Sequence, residues 1–271
     1  MIKLDTTAAW AWANATISAN REVLLALAGV FFLLPRLVVG LFAPELHIEP
    51  NMSAQDLQAA VRAGYLATLP WVLPATLFEA VGTLAMLALI TDRGRPTVRD
   101  ALTAGLRGLG TYIAGELIYA LGISCAGGVV IALATLSGVP SLAGMALGVA
   151  LAALAYGFVR LVLLAPVVAV EREVNPVRAL ARAWALARGH TGRLLLMLLV
   201  LGVVALVIML ASVDVVGALV ALAAGPDGGR IAGTVVSAVL DAGFAVYFVA
   251  ILAGVHRQLA GPSVGGAGIF G

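Results

Sequence analysis

Apolar residues along this chain gather into long runs separated by short polar segments. Six runs, at about 23–42, 68–90, 109–136, 142–170, 193–222 and 231–256, each supply the roughly 20 residues that an α-helix needs to cross a bilayer. The third, fourth and fifth exceed that minimum, which allows tilt or protrusion; the fifth ends either at 222 or near Asp214, with 215–224 along the outer interface. Ser137-Gly138-Val139-Pro140 and Gly225-Pro226-Asp227-Gly228-Gly229 are strong breakers and predict tight turns.

The polar segments are patterned too. From Thr97, the residues Val98, Ala101, Leu102, Gly105 and Leu106 recur at helical spacing, with Arg99, Asp100, Thr103 and Arg107 opposite. Thr97 and Asp100 have the spacing of a capping box. Asn175-Pro176 starts a second such segment, with Val177, Leu180 and Trp184 on one face and Arg178 and Arg182 on another. Residues 5–19 form a third, with Trp10, Ala13 and Ile17 on a face. All three are expected as helices in the headgroup plane, Trp at the boundary and Arg toward phosphates. Each precedes an outward and then an inward run. That pattern suggests a threefold parallel repeat, supported by alignments of Trp12 with Trp184 and of Ala101-Leu102 with Ala179-Leu180. Residues 43–67 interrupt the pattern, as a plain hairpin or as a small lid helix capped by Ser53 and Asp56. Residues 261–271 are expected as a flexible Gly-rich tail.

Composition places this all-α reading in a membrane. The 271 residues are 62% hydrophobic and 11% charged, where a soluble domain carries about 25% charge. Twelve of the sixteen basic residues flank the runs on one side, and only Arg62 and Arg230 lie in the opposite loops. Since cytoplasmic flanks collect Lys and Arg, a multi-pass inner-membrane protein with both termini in the cytoplasm is expected. The basic edge suits anionic lipid headgroups rather than nucleic acid; Arg99, Arg107, Arg178, Arg182, Arg188, Arg193 and Trp184 are the candidates. Cys125 is the lone cysteine, so no disulfide framework is available.

The stretch Arg160, Pro166, Glu171, Asn175-Pro176, Ala179-Leu180, Arg182, Trp184, Gly189 and Arg193 resembles the signature of the glycerophosphoryl diester phosphodiesterase membrane-domain family and the related YciC-like bacterial inner-membrane proteins. Those carry an acid after a span, an Ala-Leu-x-Arg-x-Trp helix, then a Gly-containing turn and an Arg. Thr191-Gly192 stands where an aromatic is common. The resemblance implies a bacterial membrane domain. It does not imply the catalytic barrel of the fused members, for which this chain has no room.

Ionisable residues within membrane runs are costly and are functional candidates. Six occur: Arg36, Glu79, Glu116, Arg160, Asp214 and Asp241. Asp214 is expected at the outer interface, and Arg36, following Pro35, is expected to snorkel outward. Glu79, Glu116, Arg160 and Asp241 fall nearer mid-depth among small or hydroxyl-bearing neighbours, as a ligand or ion pathway would. Arg160 is expected to pair with Glu116, leaving Glu79 and Asp241 around a hydrated pocket; a purely structural polar network is the alternative. Gly144, Gly148 and Ala152 make a face for close packing. Catalytic templates are missing: His47, His190 and His256 lack metal spacing, and no nucleophile elbow or phosphate loop occurs. The expectation is a non-enzyme without cofactor or metal. It binds or moves a lipid or small amphiphile, or serves as an accessory subunit against a membrane-protein partner.

Overall fold

The computed structural model describes residues 5–44, 52–92, 94 and 96–261. The described part is all-helical: α1 (Thr6–Ala19), α2 (Arg21–Ala28), a π turn at Gly29–Leu33, α3 (Leu34–Phe42), α4 (Ala54–Thr91), α5 (Val98–Leu136), α6 (Pro140–Leu161), α7 (Leu164–Val170), α8 (Pro176–Ala187) and α9 (Thr191–Ala260). Five helical segments are long and apolar enough to cross a membrane: Arg21–Phe42, Ala54–Thr91, Val98–Leu136, Ser141–Val170 and Thr191–Ala260. The last is a hairpin. Gly225 holds φ 81° and ψ 175°, a conformation that L side chains rarely adopt. Beyond it the second arm folds back, with Gly233 near Val213 and Gly229 against Gly217 and Ala221.

The molecule is tight at one end and loose at the other. At the base, near both ends of the described residues, Asp5 and Gln258 exchange two hydrogen bonds of 2.9 and 3.0 Å. There α4, α7, α8 and the end of α9 bury Leu84, Met86, Leu87, Leu164, Val167, Ala183, Ile251 and Leu252 in one core. Toward the tips, α5, α6 and the first arm of α9 present Leu133, Leu136, Met145, Leu151, Leu206 and Leu222 outward. A soluble monomer rarely carries so large a continuous apolar surface; for a membrane protein it is the face toward lipid.

Several elements depart from the expectation. Residues 97–107 are not a separate interfacial helix but the first turns of α5, which runs unbroken to Leu136. The Thr97–Asp100 capping box is present, yet nothing stops the helix beyond it. Gly108 and Gly110 weaken a helix by about 1 kcal/mol each without ending it. Part of the apolar face of this stretch packs on protein: Ala101 and Gly105 are buried, Gly105 against Val81 and Ala85 of α4, whereas Val98 and Leu106 stay exposed. In the same way Ser53 caps a helix by accepting from the Asp56 amide, but that helix is α4 itself, continuing through Pro70 and Pro74 rather than folding over as a lid. The first interfacial segment forms as α1 and packs antiparallel along the end of α9, with Ala9 against Gly254 and Arg257 5.5 Å over Trp12. Only α8 stands as a separate amphipathic helix, capped by the Asn175 side chain. Residues 262–271, nearly all of the expected tail, and residues 45–51 of the expected outer loop lie outside the described residues.

Gly105 shows how close the base is. A Cβ there meets the Val81 carbonyl at 3.0 Å and the Ala85 amide at 3.1 Å, both rigid backbone. Gly105→Val is expected to lower stability by roughly 1–3 kcal/mol, as overpacking does. Gly110, with open space around it, should accept Ala with no loss, since Gly→Ala at a compatible site stabilises by about 0.4–1 kcal/mol. Thermal unfolding of the two purified variants in one detergent checks both.

Candidate functional site

Arg36 lies at the centre of an ion cluster. Its Nε is 2.9 Å from Glu79 Oε1 and 3.9 Å from Asp241 Oδ2, so α3, α4 and the second arm of α9 meet at one guanidinium. The outward-snorkelling expectation for Arg36 is therefore corrected, and the physical reason lies just before it. The π turn at Gly29–Leu33 inserts an extra residue into the helix and so rotates everything after it. Pro35 has no N–H for the Phe31 carbonyl, and just before it the Leu34 N–H bonds the Gly29 carbonyl, five residues back. The side chains are 51%, 21% and 33% exposed for Arg36, Glu79 and Asp241, so the cluster is open on one side. Two carboxylates share one cation, which leaves a net negative charge when all three are ionised.

Arg160 and Glu116 are not partners, contrary to expectation. Arg160 donates from Nε and Nη2 to the Tyr156 hydroxyl at 3.1 and 2.6 Å, and from Nη1 to the Trp184 carbonyl at 3.2 Å. Its guanidinium carbon sits 5.1 Å from the Tyr156 ring centroid and 4.8 Å from that of Trp184. The cause is Pro166. It withholds the N–H that would bond the Val162 carbonyl, α6 ends at Leu161, and the chain returns through α8 to bring Trp184 beside Arg160. Glu116 instead interacts with Tyr112, one turn back on α5.

A third group of charges gathers at the base. Glu171 Oε2 accepts from Arg182 Nε at 2.9 Å, and Glu171 Oε1 lies 3.0 Å from His256 Nε2, with His256 3% exposed. This network joins the turn after α7, helix α8 and the end of α9. Arg182 thus turns toward Glu171 rather than simply outward to headgroups, whereas Arg99, Arg107, Arg178, Arg188 and Arg193 are exposed. His256 was missed because nothing in its own neighbourhood signals a partner 85 residues earlier. The signal available was Glu171, an acid just past an apolar run with an Arg eleven residues on.

Asp214 lines a cavity of about 410 Å³ between the two arms of α9, together with Arg230, Thr234 and Ser237. Ser237 precedes Asp241 by one helical turn, so the cavity approaches the ion cluster from the tips. Among the described residues no three His, Cys, Asp or Glu side chains group as metal ligands do. Compared with known protein families, curated proteins and solved structures, the chain matches none.

The pairing has a measurable consequence. Arg36→Met leaves two acids without their cation and is expected to cost about 3 kcal/mol, the low end for breaking a buried pair because this one is partly open. Arg36→Met combined with Glu79→Gln should recover part of that loss. Arg160→Met and Glu116→Gln should add within about 0.5 kcal/mol, as independent sites do. The two double-mutant cycles, read by thermal unfolding, separate partners from non-partners.

Proposed function

We propose that this protein crosses a bacterial inner membrane six times, the hairpin of α9 giving the last two crossings, with the base in the cytoplasm. Each pair of crossings would be led by a helical segment at the base: α1, the start of α5 and α8. The distribution of Arg supports this orientation, and the resemblance around residues 160–193 is in keeping with it. Reporter fusions after Pro140 and Asp227 should read periplasmic, and a fusion after Glu173 cytoplasmic. A periplasmic signal after Glu173 contradicts the orientation.

Its function is to bind or move a lipid or small amphiphile, without catalysis. The observation that carries this reading is the Arg36–Glu79–Asp241 cluster, where acid exceeds base and a polar cavity leads in from the tips. Charges are retained within apolar helices chiefly along substrate and ion routes. The exposed arginines at the base suit anionic headgroups, each contributing about 1 kcal/mol near such a surface. Reconstitution into phosphatidylethanolamine–phosphatidylglycerol vesicles with a fluorescent lipid tests it. The wild type should speed exchange between leaflets over protein-free vesicles, and Asp241→Asn should abolish the gain with little loss of stability. Exchange no faster than in empty vesicles, with no lipid co-purifying, contradicts the reading.

One feature favours a second reading, an accessory subunit. Gly144 and Gly148 of α6 have no neighbour within 4 Å of a Cβ position, so their small-residue face packs on nothing among the described residues. Such faces serve helix–helix association in membranes. A stoichiometric membrane protein co-purifying in mild detergent, lost in Gly148→Leu, would support this role over transport.

A further inference from the structure

We propose that the groove between α5, α6 and α8 is a binding site for one anionic phospholipid of the leaflet at the base, its acyl chain in the groove and its phosphate at Arg160. The groove has a volume of about 300 Å³ and is lined by Tyr119, Leu161, Leu180, Ala181 and Trp184. Its walls are apolar, so it offers a lipid tail the contacts that it loses on leaving neighbouring chains. Trp184 belongs both to this wall and to the box around Arg160, which puts a cation at the groove's edge.

The charge at that edge is built but not neutralised. Arg160 has five N–H donors; two are held by the Tyr156 hydroxyl and one by the Trp184 carbonyl. Among the described residues no carboxylate pairs with it, in contrast to Arg36, Arg172 and Arg182. The ring faces of Tyr156 and Trp184, the two packed edge to face at 5.9 Å, hold the guanidinium plane in place. They do not cancel its charge. A cation fixed in an apolar setting favours an anion that brings its own hydrophobic chain, and a guanidinium offers phosphate the geometry it binds best. Tyr156 and Trp184 are 47% and 41% exposed, so the site opens sideways toward lipid. The Trp184 carbonyl lies in the last turn of α8, where a cation also serves as a cap. The lipid site shares no residue with the Arg36 cluster, so its failure leaves the transport reading standing.

Native mass spectrometry of the full chain, mixed with equal amounts of phosphatidylglycerol and phosphatidylcholine of the same acyl chains, tests the site. The wild type should retain one phosphatidylglycerol in preference to phosphatidylcholine. Arg160→Gln should lower that retention about fivefold. Ala181→Phe fills the groove without touching the guanidinium and should lower retention of both lipids, whereas Ala132→Phe, far along α5, should change neither. Equal retention of the two lipids by the wild type overturns the proposal, as does unchanged phosphatidylglycerol in Arg160→Gln. Unchanged binding in Ala181→Phe, or displacement of the lipid by excess inorganic phosphate, overturns it in favour of a plain anion contact. If Arg160→Gln fails to fold, Ala181→Phe carries the test, with Arg160→Lys expected to keep at least half of the lipid.

Discussion

A charge held among apolar helices must be neutralised or solvated, and that constraint arranges the polar parts of this protein. The guanidiniums of Arg36 and Arg160, both within apolar helices, are answered differently. Arg36 takes two carboxylates from other helices, and Arg160 takes two aromatic faces, a hydroxyl and a carbonyl. At the base, Glu171 is answered from two sides by Arg182 and the buried His256. Three helical elements converge at each of the first and last of these points, so the ions set where α3, α4, α8 and α9 can lie.

Close packing fixes the base, and the ions sit at its margins. Gly105 lets α5 rest on the α4 backbone, and α1 lies along the end of α9 through Ala9 and Gly254. The residues from Ala242 to His256 are mostly buried, so the polar approach from Asp214 through Ser237 ends at Asp241 with a packed core beneath it. On the transport reading, a route through the whole molecule would require the base to rearrange. Among the described residues, the cavity between the arms of α9 and the sparse packing toward the tips leave freedom on the other side. On the transport reading proposed above, this asymmetry favours a binding centre entered from the tips over a permanently open pore.

Much of the architecture was legible in the sequence, because an apolar run and a strong breaker leave unambiguous marks. Gly225-Pro226 reverses α9, and Asn175-Pro176 starts α8 where the pattern placed it. The junction at residues 107–109 was not legible. A helix passing from an amphipathic to an apolar face needs no punctuation, and the sequence carries none. Among the site residues, Glu79 and Asp241 stood out as acids in apolar runs, but their partner Arg36, equally visible in its run, reads as facing outward. The π turn changes which way Arg36 faces, and no residue type marks a π turn. The mistaken Arg160–Glu116 pairing has a similar cause. Counting depth along an unbroken helix ignores the break that Pro166 imposes, and with it the return of Trp184.

The central claim is that Arg36 is the counter-ion of Glu79. Exchanging the two charges tests it most directly: Arg36→Glu and Glu79→Arg, singly and together, compared by thermal unfolding in a fixed detergent. Each single reversal places like charges side by side and should destabilise strongly. The double exchange restores an opposite-charge pair and still leaves a cation near Asp241, so it should recover most of the lost stability. A double variant as unstable as the sum of the two single losses would contradict the account.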